Sequence, residues 1–229
     1  MPPLILTMQT AIPAGGVAIS DGEKLIAEIN LDISKTATDW LLGTVDNLLD
    51  MAQVDRRDLD AIGIVRGPGS FTGLRVGLAS AKGFALALDK PLLAVSSLKM
   101  LAMQMPFSRL PVCVMLDARK KEAYSATYSW ESGHLEALTP ERVLAPDLLL
   151  DEVDGEILCI GNGALVYKTL IVRRLGARAH FTPPMLNLPR IGAAAALALD
   201  EWNCGRMLTP EQLTPTYLRL SEAELNLRG

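Results

Sequence analysis

The residues at 67–75 have the composition of a loop that holds a phosphate group: Gly-Pro-Gly-Ser-Phe-Thr-Gly-Leu-Arg. They follow the apolar run 61–65, which is typical of a buried strand, and precede small and apolar residues at helical spacing. The glycines therefore lie at a strand-to-helix turn. Backbone amides at a helix start point outward, and the helix dipole favours an anion. Gly67, Gly69 and Ser70 are candidate ligand contacts on this ground.

The spacing of this loop matches neither familiar phosphate motif. A P-loop needs Lys-Ser or Lys-Thr directly after its last glycine, where this chain has Leu74 and Arg75. In the dinucleotide fingerprint the third glycine follows the second by three residues, and here it follows by four. Pro68 also lacks an amide hydrogen. The second interpretation is a tight turn whose glycines permit close backbone packing, with Ser70 or Thr72 capping the helix.

A second group of polar residues follows the predicted strand 112–116. Asp117 and Arg119 come directly after this apolar run, and Glu122 follows them. Two interpretations are open. The side chains either form an ion pair that stiffens the turn, or contact a ligand, in which case Asp117 and Arg119 are the candidate residues.

Metal binding and nucleophilic catalysis are not indicated. The two histidines, His134 and His180, are too far apart in sequence to form a helical pair, and both are expected at the surface or in turns. The three cysteines, Cys113, Cys159 and Cys204, are widely spaced among apolar neighbours, which predicts reduced core thiols rather than disulfides or a zinc site. We predict no catalytic residue and no metal site.

The helix after the glycine-rich loop carries a stripe of small residues. Gly77, Ala81 and Ala85 recur every four residues and therefore lie on one helical face. Such a face allows very close packing, either against a sheet of the same chain or against a helix of another chain. The sequence leaves both possibilities open.

Composition predicts a globular protein without a membrane span. Of the 229 residues 49% are hydrophobic, but no apolar run approaches the ~20 residues that a span requires. Residues 1–23 contain no Lys or Arg, which disfavours a secretory signal, so we expect a cytoplasmic location. The net charge is −4, and residues 1–60 hold ten acidic against four basic side chains, which disfavours RNA binding by that part.

The segment 67–77 resembles the signature of the bacterial TsaB (YeaZ) family. Further similarity to the family is found at 91–97 (Pro-Leu-Leu-Ala-Val-Ser-Ser), 117–119 with Glu122 and Tyr124, 161–164 (Gly-Asn-Gly-Ala), and 215–219 with 223–224. These matches extend over roughly residues 60 to 225.

The resemblance implies an α/β, actin-like (ASKHA) fold of two lobes and a role in forming threonylcarbamoyladenosine at position 37 of tRNA. It implies a non-catalytic partner that forms a heterodimer with the related, metal-bearing TsaD subunit, which the small ATPase of the same pathway joins. Neither ATP nor a metal is then expected as a cofactor of this chain, because both belong to its partners. tRNA is contacted mainly through the partner, and a homodimer is a further possibility for the chain alone.

One position departs from the family pattern. The turn after the first predicted strand contains Met8-Gln9, where TsaB relatives usually keep Asp-Thr and active actin-like ATPases hold magnesium with an Asp. A neutral Gln does not supply the anionic oxygen that magnesium prefers. We therefore expect no independent activity. The alternative is an actin-like ATPase or phosphotransferase that acts alone, using the glycine-rich loop and Asp117.

The resemblance also implies that the partner binds through helices of the first lobe, and we predict contact residues on two of these helices. Those on the small-residue helix are Gly73, Leu74, Gly77, Leu78, Ala81 and Ala85, and those on the helix before it are Leu41 and Val45.

Two lobes must position these residues. Residues 1–105 form the predicted first lobe, which opens with a meander of strands at 4–7, 16–20 and 24–30. A helix follows that starts in a Thr36–Asp39 capping box. The lobe continues with strand 61–65, the small-residue helix, strand 91–95 and a helix at 97–105. This order predicts a largely parallel sheet after the meander.

Residues 106–229 form the predicted second lobe, a shorter repetition of that order with a docked tail. Its predicted strands cover 112–116, 123–130, 135–138 and 157–160. Its predicted helices are a short one from Pro146, one that follows the turn 161–163 and runs to about Leu175, and a long one after Pro189 that runs to Asn203.

Overall fold

The computed structural model describes residues 1–32, 36–131 and 133–219. It contains two compact units. Unit 1 consists of Met1–Met100 and Pro189–Thr216, and unit 2 of Leu101–Leu188 together with the chain from Tyr217. The predicted division at residue 106 differs from this result because the segment from Pro189 returns to unit 1.

Unit 1 is a sheet between two layers of helices. Its elements are β1 (Leu4–Gln9), β2 (Gly15–Asp21), β3 (Lys24–Leu31), α1 (Ala37–Ala52), β4 (Ala61–Gly67), α2 (Phe71–Leu88), β5 (Leu92–Ser96) and α7 (Ile191–Asn203), with α3 (Ser97–Met103) leading out of it. The strand order is β3-β2-β1-β4-β5. β1, β2 and β3 pair antiparallel, while β4 pairs parallel with β1 and β5. This confirms the predicted meander and the parallel strands after it.

Alternating side chains of the central strands face different helices. Ile64 lies next to Gly77 of α2, whereas its neighbour Gly63 lies next to Ala198 of α7. Successive strand residues point to opposite faces, so α2 and α7 cover opposite sides of the sheet. The face of α7 that covers the sheet contains Ala194, Ala195 and Ala198, all buried. These small side chains allow the close approach that returns α7 to unit 1.

Unit 2 contains a second mixed sheet. Its elements are β6 (Val112–Asp117), β7 (Ala123–Glu131), β8 (His134–Ala137), β9 (Arg142–Leu144), α4 (Pro146–Asp151), β10 (Ile157–Ile160), α5 (Asn162–Val166), α6 (Lys168–Leu175) and β11 (Ala179–Phe181). The strand order is β11-β10-β6-β7-β8, and β9 also pairs with β7. β10 is parallel to β6 and β11, whereas β7 is antiparallel to its neighbours.

The two sheets share one topology. Each has a first strand in the centre, an antiparallel hairpin on one side and parallel strands on the other, so β6, β7 and β10 correspond to β1, β2 and β4. The predicted repetition of element order is therefore confirmed. The prediction missed β9 and β11, which are three residues long, and the break at Tyr167 that divides the expected helix into α5 and α6.

Candidate functional site

The glycine-rich loop lies against the turn between β1 and β2. β1 and β4 are parallel neighbours, so the segments that follow them meet at one edge of the sheet. The amide of Ser70 donates to the carbonyl oxygen of Ala11 at 2.6 Å. The hydroxyl of Thr10 donates to the carbonyl oxygen of Gly73 at 2.8 Å. Two hydrogen bonds thus join the loop to the turn.

The glycines permit this contact. A Cβ atom on Gly69 would collide with the carbonyl of Ala11, and one on Gly73 would collide with the carbonyl of Thr10. The amide of Gly73 donates to the hydroxyl of Ser70 at 3.3 Å, so Ser70, one of the two predicted caps, is the N-cap of α2. Backbone carbonyls therefore lie against the glycines where a bound phosphate would approach, an arrangement that favours the close-packing interpretation of the loop.

Gln9 closes the β1–β2 turn from the inside. Its side chain is 1% exposed. Its Nε2 donates to the carbonyl oxygen of Ala14 at 2.6 Å, and its Oε1 accepts from the amide of Ile12 at 3.2 Å. Both polar groups of the amide are thus used within the turn.

The small-residue stripe of α2 packs against the chain's own sheet. Gly77, Ala81 and Ala85 are buried within unit 1. Leu74, Leu78, Leu41 and Val45 are buried with them, and of the predicted contact residues only Gly73 is partly exposed. Buried side chains offer no surface to a partner, so these residues pack α1 and α2 into unit 1.

The outer faces of the same two helices carry exposed apolar residues. Ala79, Gly83 and Leu86 of α2 are exposed and follow the i, i+4, i+7 spacing of one face. Leu86 is 67% exposed, and on the neighbouring α1 Leu42 is 56% and Met51 77% exposed. The sequence does not show which face of α2 is buried and which is exposed, because both faces consist of small and apolar residues.

The Asp117 group forms the turn between β6 and β7, which corresponds to the β1–β2 turn of unit 1. The carboxylate of Asp117 accepts from the amide of Arg119 at 2.9 Å and from the hydroxyl of Tyr167 at 3.4 Å. The Nε of Arg119 lies 3.9 Å from the Asp117 carboxylate, and its side chain is 86% exposed. The backbone amide of Asp117 donates to Oδ1 of Asn162, which follows β10. Tyr167 was not singled out in the sequence, and Asn162 was named there only within the family match at 161–164.

Arg219, in the segment predicted to dock on the body of the protein, contacts this turn. Arg219 donates to the carbonyl oxygen of Ala118 at 2.8 Å and forms an ion pair with Glu122. Burial, followed by the nearby charge of Asp117, raises the pKa of Tyr167. Burial also raises the pKa of Tyr124, against the opposing charge of Arg219.

The histidines are both exposed, as expected, and Nε2 of His180 lies 2.8 Å from the carboxylate of Glu156.

Cys113 and Cys159 are buried free thiols in register on β6 and β10. Cys204 is exposed, which corrects its assignment to the core: it follows the last residue of α7 and ends that helix at the surface. In the described part of the chain no group of three or more His, Cys, Asp or Glu side chains is arranged to hold a metal ion. None of the described helices combines the length and apolarity that crossing a bilayer requires.

The paired sheets and their shared topology define an actin-like protein. The solved structure of ethanolamine utilization protein EutJ from Carboxydothermus hydrogenoformans has the same fold, with a TM-score of 0.52 over 86% of this chain and 91% of that chain at 11% identity. The family model described as "TsaD: tRNA N6-adenosine threonylcarbamoyltransferase" matches residues 31–225.

Closer similarity identifies the family. The tRNA threonylcarbamoyladenosine biosynthesis protein TsaB of Bacillus subtilis is 31% identical over 223 residues, which cover 96% of each chain. The solved structure of YeaZ from Pseudomonas aeruginosa is 31% identical with a TM-score of 0.82, covering 94% of this chain and 100% of that chain. This chain belongs to the TsaB (YeaZ) family.

Proposed function

We propose that this chain takes part in the biosynthesis of threonylcarbamoyladenosine in tRNA as a non-catalytic subunit that binds a TsaD-type protein. The observation that carries the proposal is full-length similarity to TsaB of Bacillus subtilis. The match of residues 31–225 to the TsaD family model indicates in addition that the chain is related to the transferase subunit itself. A related subunit that lacks catalytic groups is suited to pairing with the catalytic one.

The β1–β2 turn supports the non-catalytic part of the proposal. Gln9 is neutral, and both of its polar groups bind the turn. The carbonyls of Thr10 and Ala11 lie against the glycines of the loop. Magnesium prefers anionic oxygen ligands and a phosphate prefers free amides, so this edge of the sheet suits neither. ATP and metal are then supplied by the partner proteins.

The outer faces of α1 and α2 are the surface that we assign to the partner. Their exposed apolar residues include Leu42, Met51 and Leu86. The small exposed residues Ala79 and Gly83 of α2 allow a second helix to approach closely. The same surface would serve a homodimer when the partner is absent.

Size exclusion with light scattering tests the proposal, using this chain alone and mixed with the TsaD-type protein from the same source. We expect a one-to-one complex whose affinity falls at least tenfold in the Leu86→Glu variant, because a charge would be buried in an apolar contact. Leu148→Glu is the matched control, since Leu148 is 58% exposed on α4 of unit 2.

Two results would contradict the proposal at different points. If Leu86→Glu bound the partner like the wild type, the assignment to α1 and α2 would be wrong. If the wild-type chain formed no complex but bound and hydrolysed magnesium-ATP alone, the rival function of an independent ATPase would replace the scaffold.

A further inference from the structure

Two thiols lie side by side on neighbouring strands in the core of unit 2. Cys113 of β6 and Cys159 of β10 are register partners in the parallel pairing of these strands, and both are free thiols. Register partners project from the same face of a sheet, and neighbouring strands lie about 4.8 Å apart. A disulfide needs Cα atoms about 4.4–6.8 Å apart. The two cysteines therefore meet the backbone distance requirement for a disulfide.

The two side chains also influence each other in the reduced protein. A hydrogen bond from the Cys159 thiol lowers the pKa of Cys113, against the opposing effect of burial. The same contact raises the pKa of Cys159. A thiolate is the form of cysteine that attacks an oxidant, and a neighbouring thiol resolves the product as a disulfide. Cys113 is therefore suited to the first role and Cys159 to the second.

The pair is buried next to an edge of the sheet. Cys113 and Cys159 are each 1% exposed. β11 is the edge strand beside β10, and its Phe181 is the register partner of Cys159. β11 is three residues long, and Phe181 is only half-buried. Elements with few buried contacts open locally at low free-energy cost, so opening of β11 would uncover Cys159 to a small oxidant.

We propose that Cys113 and Cys159 are an oxidation site, at which a peroxide converts the two thiols into a reversible disulfide between β6 and β10. The Cys113 sulfur attacks one oxygen of hydrogen peroxide, the O–O bond breaks, and the leaving hydroxide takes the thiol proton and departs as water. The Cys159 sulfur then attacks the sulfenic acid on Cys113, and its proton leaves with the displaced hydroxide as a second water. The peroxide is reduced and the two thiols are oxidised by two electrons. A thiol reductant reverses the step by exchange.

The disulfide cross-links two strands that are distant in sequence. It closes the loop of residues 113–159, which includes β7, β8, β9 and α4. A cross-link over a long loop restricts the unfolded chain and so stabilises the native fold. Oxidation therefore makes unit 2 more resistant to unfolding, with or without a partner protein.

Peroxide treatment of the Cys204→Ser variant tests the proposal, because Cys204 is exposed and would otherwise react in place of the pair. The folded protein is treated with hydrogen peroxide, freed of excess reagent, alkylated in denaturant and digested with trypsin. We expect peptide 110–119 to be joined to peptide 143–168, and both thiols to return after treatment with dithiothreitol. The wild-type chain, with Cys204 alkylated beforehand in the folded state, should give the same linked peptides.

A matched variant and a melting measurement distinguish the disulfide from other oxidation products. When Cys159→Ala is added to Cys204→Ser, Cys113 has no neighbouring thiol, so peroxide should give no linked peptides. The oxidised Cys204→Ser protein should melt roughly 4–10 °C above its reduced form. The variant without Cys159 should show no such increase after the same treatment.

Three results would overturn the proposal. The first is that the folded protein keeps both thiols under conditions in which the urea-unfolded chain loses them. The second is oxidation of the thiols to sulfinic acid without linked peptides. The third is a disulfide that joins two molecules, seen as a dimer on a non-reducing gel, instead of two strands of one molecule.

Discussion

Removal of the Gln9 amide should destabilise unit 1 more than any surface change. In Gln9→Ala the carbonyl of Ala14 and the amide of Ile12 lose their partners. Ile12 is 6% and Ala14 8% exposed, so water cannot replace the amide without opening the turn. Each buried unsatisfied group costs about 1–3 kcal/mol. For the two groups together the expected loss is about 2–6 kcal/mol in the free energy of unfolding.

Thermal and urea denaturation measure this loss. For a chain of this size about 1 kcal/mol lowers Tm by roughly 2–4 °C, so Gln9→Ala should melt at least ~4 °C below the wild type. Gln9→Glu supplies a second test. A buried Glu has a raised pKa, and only its protonated form can donate to Ala14, so this variant should approach wild-type stability as pH falls.

A single result would refute the reasoning. If Gln9→Ala melted within 1 °C of the wild type by both methods, the turn would not depend on the two hydrogen bonds, and the account of Gln9 as a structural residue would fail. A Gln9→Glu variant whose stability relative to the wild type did not change between pH 8 and pH 5 would contradict the same account independently.

The remaining predictions concern α2, the tail and the tyrosines. Gly73→Ala should lower stability by about 1–3 kcal/mol in urea denaturation, because its Cβ meets the turn backbone. Gly83→Ala should raise stability by up to about 1 kcal/mol through helix propensity, because the space at its Cβ is open. If Gly73→Ala and Gly83→Ala changed stability equally, the packing account of Gly73 would be refuted. Arg219→Ala should destabilise unit 2 by about 1 kcal/mol, as seen by hydrogen exchange at the β6–β7 turn, and unchanged exchange would show that the tail is not needed there. Because folding raises the pKa of Tyr167, its contribution is present below the ordinary tyrosine pKa of about 10 and is lost as pH rises through the folded pKa. Tyr167→Phe should therefore lose less stability than the wild type between pH 9 and 11. An ultraviolet titration of the wild type in which every tyrosine ionised at the ordinary pKa would contradict this.

Local patterns in the sequence predicted most of the fold. Strands β1 to β3 follow from apolar runs separated by turn residues, and α1 begins where Thr36 donates its amide to the Asp39 carboxylate at 3.1 Å. Short strands such as β9 and β11 were missed because three residues carry too little periodicity. At the helix break the hydroxyl of Tyr167 donates to Asp117 of β6, a contact between segments 50 residues apart that no local pattern indicates.

The candidate sites divide in the same way. The sequence alone determined that the 67–75 loop is a strand-to-helix turn with Ser70 or Thr72 as its helix cap, and that Asp117 begins a polar turn, since residue type and neighbours are sufficient for these conclusions. Only the tertiary structure decided what lies against the glycines, which face of α2 is buried and how the β6–β7 turn is held. These depend on contacts between segments far apart in the chain, such as Thr10 with Gly73 and Tyr167 with Glu122. No local pattern records such pairings, because the free energy of burial is fixed only when the two segments meet.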